Sequence, residues 1–187
     1  LASVAWTGFF TAFVMFFGMA IVTSLGLMHV TDTGNIGDGF FKVLELNRGD
    51  EGLWQQALVN VQNNLNIDGD YNRLSVIQAP SHPQTPWTGL LFTVVSVSIW
   101  YNVLNQFIVQ RILGAKDMWH ARMGIVSAGF VKLILPYITV LPGLILFALH
   151  PELLLGDWNE VQIVADKSLI TLAAEVLPVG LVGFLLA

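Results

Sequence analysis

The chain has 187 residues, of which 55% are hydrophobic and 11% charged, with a mean hydropathy of +0.67. Soluble domains carry about 25% charged residues, so most of this chain is expected to lie in lipid. A net charge of -5 with few, scattered basic residues excludes a nucleic-acid partner. The lack of cysteine excludes disulfides, thiolate metal sites and thiol nucleophiles.

Taken in chain order, the first apolar run, residues 1–29, is charge-free, rich in Phe and long enough to be a transmembrane helix. It has no basic start and no short apolar core, which separates it from a signal peptide. Residues 30–86 form a polar, acidic loop. Phe40, Phe41, Leu44 and Leu46, and then Leu53, Trp54, Ala57, Leu58, Val61 and Leu65, have helical spacing and predict two short amphipathic helices within it. Asp68-Gly69-Asp70 reads as a turn without the ligand spacing of a calcium loop. Residues 79–86, with Pro80, Pro83 and Pro86, predict an extended connector.

A second span is expected over 87–110, a short basic loop over 111–122 and a third span over 123–149. A loop over 150–168 then leads to the start of a fourth span at 169–187. Arg111, Lys116 and Arg122 place the 111–122 loop in the cytoplasm by the positive-inside rule, and the 30–86 and 150–168 loops outside. The chain begins at Leu1 and its last run, Val179 to Ala187, is still apolar, so the expectation is an internal fragment of a larger membrane protein.

Lys132 carries the only formal charge between Met123 and Leu149. At 1.5 Å per residue it lies about 15 Å from Arg122, half of a ~30 Å hydrocarbon core. An ammonium there costs about 2.5–3.5 kcal/mol on insertion scales, so it is expected to face protein, water or a ligand. Tyr101 is as far from Arg111 as Lys132 is from Arg122, so antiparallel helices put the two at one depth. Ser98, Tyr101, Asn102 and Asn105 share a helical face, and Gln106 adds a further amide. Such a set suits a polyhydroxy solute, with amides, hydroxyls and the ammonium for its oxygens and the ring for its apolar face. For Ser98, Asn102 or Asn105 singly, interhelical bonding worth about 0.6 kcal/mol is an equal reading, and Lys132 could instead pair with a carboxylate elsewhere. Pro136 and Pro142-Gly143 read as bends, Trp87 and Trp119 as interfacial anchors. His29, His82, His120 and His150 show no metal-binding spacing, and no nucleotide loop or nucleophile elbow is present, so neither a metal site nor an enzyme is expected.

The block Pro86-Trp-Thr-Gly89, Trp100-Tyr101, Asn105-Gln106-Phe-Ile-Val-Gln110-Arg111 and Ala115-Lys116 resembles the sodium:solute symporter family, and in particular its sodium/glucose cotransporter branch. The likeness continues through His120-Ala121, Val131-Lys132-Leu133, Pro136 and Leu141-Pro142-Gly143. It implies an all-α membrane protein, a partial LeuT-like inverted-repeat bundle with three full transmembrane helices and the start of a fourth, multi-pass in the plasma membrane. It implies Na+ as coupling ion, its site outside this fragment, and no other cofactor. It matches Tyr101 to an inner-gate tyrosine that stacks on sugar and Lys132 to a lysine that hydrogen-bonds it. Asn102 stands where sugar transporters usually have Trp, Ser98 where a bacterial galactose transporter has Asn, and Gly8 where relatives have Asp on the sodium exit route. The implied function is sodium-coupled symport of a sugar, polyol or similar small polar solute. Symport of an organic acid, amino acid or vitamin, or solute sensing in the membrane, stays open.

Overall fold

The computed structural model describes residues 2–67 and 71–186, and their side chains except at 2–5, 102, 179 and 184–186. The Asp68-Gly69-Asp70 turn and the side chain of Asn102 thus lie outside the described residues. Helices α1 (Ala2–His29), α2 (Ile36–Arg48), α3 (Gly52–Leu65), α4 (Trp87–Ile99), α5 (Gln106–Leu113), α6 (Met118–Leu149), α7 (Trp158–Asp166), α8 (Ser168–Val176) and α9 (Val179–Leu186) follow in order. A π-helical turn, Trp100–Leu104, precedes α5, and a 3-10 turn, Pro151–Leu154, follows α6. Among the described residues there is no strand, only an isolated bridge between Gln78 and Pro86. Two helices, Trp6–His29 and Met118–Leu149, are long and apolar enough to cross a membrane.

The chain divides into two compact units, residues 77–135 and residues 2–76 with 136–187, the division within α6 falling at Pro136. The larger unit holds the buried core. Val22 and Leu27 of α1, Val43 of α2, Leu141, Ile145 and Ala148 of α6, and Leu172 and Ala173 of α8 form one cluster. A second joins Ala57, Leu58, Val61 and Leu65 of α3 to Phe147, Leu154 and Val161. The amphipathic spacing of the 30–86 stretch forms the two helices it predicts; α3 buries Ala57, Leu58, Val61 and Leu65, whereas α2 buries Val43 and leaves Phe41 exposed, as Leu53 is at the start of α3. Capping fixes their ends: the Asn35 side chain accepts from the Gly37 N–H (3.0 Å), and Gly49 (φ 67°) and Asn66 (φ 50°) stop the helices in the left-handed region. At the crossing of α1 and α2, a Cβ on Gly39 would overlap the Leu27 carbonyl oxygen, so only glycine permits that approach.

Three side chains fasten these short helices to the far end of α6 through main-chain oxygens. Asn47 Nδ2 donates to the carbonyls of Leu144 (2.9 Å) and Val43 (2.8 Å). Trp54 Nε1 donates to Ala148 O (3.2 Å), and Asn60 Nδ2 to Leu154 O (2.8 Å) and Gly156 O (3.0 Å). The Ala148 carbonyl lies in the last turn of α6, where helix carbonyls lack helical partners, and those of Leu154 and Gly156 lie beyond the helix; the Leu144 and Val43 carbonyls take Asn47 as an additional donor.

The structure differs from the sequence reading at four places. The expected continuous helix over 87–110 is three pieces, because Asn105 leaves helical geometry (φ -69°, ψ 109°) and its side chain accepts from the Phe107 N–H at 3.0 Å. Asparagine competes in this way for its own backbone and favours a cap over a helix interior. The 79–86 connector is folded rather than extended: the His82 N–H donates to Ala79 O (3.0 Å), buried His82 Nδ1 accepts from the Thr85 N–H (3.0 Å), and the Trp87 N–H reaches Gln78 O (3.2 Å). The run from 169 is broken at Leu177, which takes the extended geometry imposed before Pro178. Helix α6 starts at Met118, earlier than the 123 expected, since Asp117 Oδ1 accepts the His120 N–H at 2.9 Å and caps it.

Candidate functional site

Within the smaller unit a cavity of about 540 Å³ is framed by Tyr101, by α5 and by the first half of α6. That volume lies in the range of small-molecule pockets, roughly 300–1,000 Å³. On α6 its wall is Ala121, Gly124, Ile125, Ala128, Gly129 and Lys132. Their spacing of three and four places them on one helical face, and four of the six are Ala or Gly, which leaves room beside the backbone. Added Cβ atoms at Gly124 or Gly129 would meet nothing within 4 Å. On α5, Ile108, Arg111 and Ile112 repeat the same spacing, and Ala115 follows just beyond the helix.

Lys132 and Tyr101 meet at this cavity. Lys132 Nζ lies 5.7 Å from the Tyr101 ring centroid, within the ~6 Å reach of a cation–π contact. Pro136, one turn along, has no N–H to offer the Lys132 carbonyl, so polar character at this level extends to the main chain. Tyr101 is 46% exposed, enough for a further group to reach its ring. Of the other residues read from sequence whose side chains are described, none lines the cavity. Ser98 lies on α4, Asn105 is the cap of α5, and Gln106 is the first residue of that helix. The shared face expected for Ser98, Tyr101 and Asn105 requires an unbroken helix, and the wider π turn between Trp100 and Leu104 shifts that phase.

Two lining residues were marked in sequence only as boundary or loop groups. Arg111 stacks on Phe107, its Cζ 3.9 Å from the ring centroid. His120 lines the cavity and holds Asp117 through its Nδ1 at 2.8 Å. The Asp117 carboxyl is drawn below its usual range, first by the His120 backbone N–H and then by the His120 ring. The signal for both was the three-and-four spacing that ties Arg111 to Ala115 and His120 to Gly124. The described lining carries three basic side chains, Arg111, His120 and Lys132, and no carboxylate. Among the described residues no group of three or more His, Asp or Glu is placed to hold a metal ion.

The family pattern of sodium:solute symporters matches residues 1–187, the whole chain. The chain belongs to the sodium:solute symporter family. It is 32% identical over 133 residues to the sodium/myo-inositol cotransporter of Bos taurus, covering 67% of this chain and 18% of that protein. It is 27% identical over 198 aligned residues to sodium/myo-inositol cotransporter 2 of Mus musculus, covering 100% of this chain and 27% of the relative. Sodium/glucose cotransporter 1 of Ovis aries is 38% identical over 77 residues, covering 41% of this chain and 12% of the relative. The chain thus spans about a fifth to a quarter of the length of the relatives it matches. No solved structure gives a significant match. The family is one of membrane transporters, not enzymes, and the two spanning-length helices fit that membership.

Proposed function

We propose that this chain is part of a sodium-coupled symporter that moves a small polar solute, a sugar or polyol, across the plasma membrane by alternating access. The observation that carries the reading is the pairing of Lys132 with the Tyr101 ring at a cavity of about 540 Å³, in a chain of the sodium:solute symporter family. Its relatives are named for myo-inositol and glucose, both polyhydroxylated rings. The ammonium donates to solute hydroxyls, and the phenol ring covers the apolar face of the solute. The coupling ion is Na+, and none of the residues named above is assigned to it.

In this reading the bundle is LeuT-like. Residues 87–113 cross the bilayer as α4, the π turn and α5 together, and the Arg111–Arg122 connection is cytoplasmic. Broken helices at the midplane are where such bundles hold solute, because freed backbone groups need polar partners. Ser98, Asn102, Asn105 and Gln106 belong to that broken region. Asn105 acts by shaping the break.

A second reading rests on the acid-free lining: Lys132, Arg111 and His120 would match a carboxylate on an organic acid. Sodium-gradient-driven uptake by the full-length protein in proteoliposomes separates the two. Neutral myo-inositol and glucose compete with the labelled solute in the first reading, and carboxylates compete in the second. Lys132→Ala and Tyr101→Ala reduce uptake at least tenfold, and Tyr101→Phe retains it. Normal uptake by both alanine variants overturns the site.

A further inference from the structure

The larger unit holds a second, small cavity of about 90 Å³ near the end of α6, walled by Arg73, Phe147, His150 and Ser168 with Leu146 and Leu154. Arg73 is largely buried, its Cζ 4.4 Å from the Phe147 ring centroid. Among the described residues no carboxylate lies within ion-pair reach of it. His150, on the same wall, is different. Its Nδ1 meets Glu152 (3.0 Å) and its Nε2 meets Glu175 (3.1 Å), so its charge is answered within the protein, and neither glutamate lines the cavity.

A guanidinium cannot shed its proton at neutral pH, and a buried charge persists where an opposite charge meets it. The Phe147 face and the Tyr71 phenol beside Arg73 supply part of that, and the remaining N–H donors of the guanidinium can take an anion. The volume sets the size: room for a small ion with a water molecule or two, too little for a six-carbon solute. We propose that this cavity binds a small monovalent anion, a halide or a carboxylate group, on the Arg73 guanidinium, with the Ser168 hydroxyl as a second donor. Desolvation, which pulls the Arg73 pKa below its usual value, is the cost that such an anion relieves.

The test uses the purified full-length protein at constant Na+, with gluconate, which exceeds the cavity, exchanged stepwise for chloride, bromide or acetate. The expected result is a saturable rise of a few degrees in the unfolding midpoint. The rise is absent in Arg73→Gln and weakened in Arg73→Lys, which keeps the charge but loses the fork. Stabilisation by chloride and bromide alone assigns a halide site, by acetate alone a carboxylate site, and by all three a general monovalent-anion site. A wild-type midpoint indifferent to all three anions overturns the proposal. The wild-type titration decides the matter even where Arg73→Gln fails to fold.

Discussion

The two units of this chain solve opposite problems. Among the described residues, every buried hydrophobic side chain lies in residues 2–76 and 136–187, whereas 77–135 buries only His82 and leaves α4 apolar and exposed all round. A helix apolar on all faces is one whose surroundings are lipid or other protein. The larger unit therefore owes its form to its own packing. The smaller one keeps open space beside its helices, and that is where Lys132, Tyr101 and Arg111 line a cavity. Space for a solute and dense packing exclude each other at the same position, so the division of labour follows from packing alone.

Substitutions in the two units should accordingly fail in different ways. Lys132→Ala, in the open unit, is expected to lower uptake by the full-length protein at least tenfold while leaving its unfolding midpoint within about a degree, because a half-exposed lysine contributes little to packing. Ile145→Ala, in the packed unit, should do the reverse. Ile145 is fully buried against Gly26 and Leu172, and truncation there costs about 2–5 kcal/mol, read as a lowered midpoint and a lower yield of folded protein. Equal loss of midpoint in both variants would erase the contrast.

A smaller loss is expected for Asn47→Ala, which removes the Asn47 hydrogen bonds to the Leu144 and Val43 carbonyls. Both carbonyls lie inside helices, so the loss is about 1 kcal/mol per hydrogen bond, measured as faster proteolysis of the 30–67 stretch. Asn105→Ala removes the α5 cap for about 1 kcal/mol and lets the helix run on through the π turn. Its signature is a shift in solute selectivity or affinity larger than the loss of stability.

The smallest effect concerns pH. Hydrogen bonding to Glu152 first, then to Glu175, raises the His150 pKa above its usual value, against the lowering by burial. Its contribution to stability is full below the unfolded pKa of about 6.5 and is lost as pH rises through the higher folded value. The midpoint of the wild-type protein should thus decline slightly on going alkaline through that window, and His150→Gln should flatten that part of the profile.

Much of this architecture was legible because it is periodic. Apolar spacing exposes α2 and α3, uninterrupted length exposes α1 and α6, and counting from Arg111 and Arg122 puts Tyr101 and Lys132 at one level. What escaped is set by single side chains competing for the backbone: Asn105 ends a helix that hydropathy treats as continuous, and His82 curls a proline-rich connector that composition treats as extended. Contacts between distant segments escaped too. Nothing in the 30–86 stretch announces that Arg73 will rest on Phe147. The residues read as one polar face at 98–106 separated for the same reason, since a face exists only while the helix does.

Asn47, Trp54 and Asn60 all end on main-chain oxygens of residues 144–156. A latch that grips carbonyls is indifferent to which side chains those residues carry. The latch itself therefore asks nothing of the side chains at those positions, and it is the core that constrains Ala148 and Leu154, while the three donors are held by the latch.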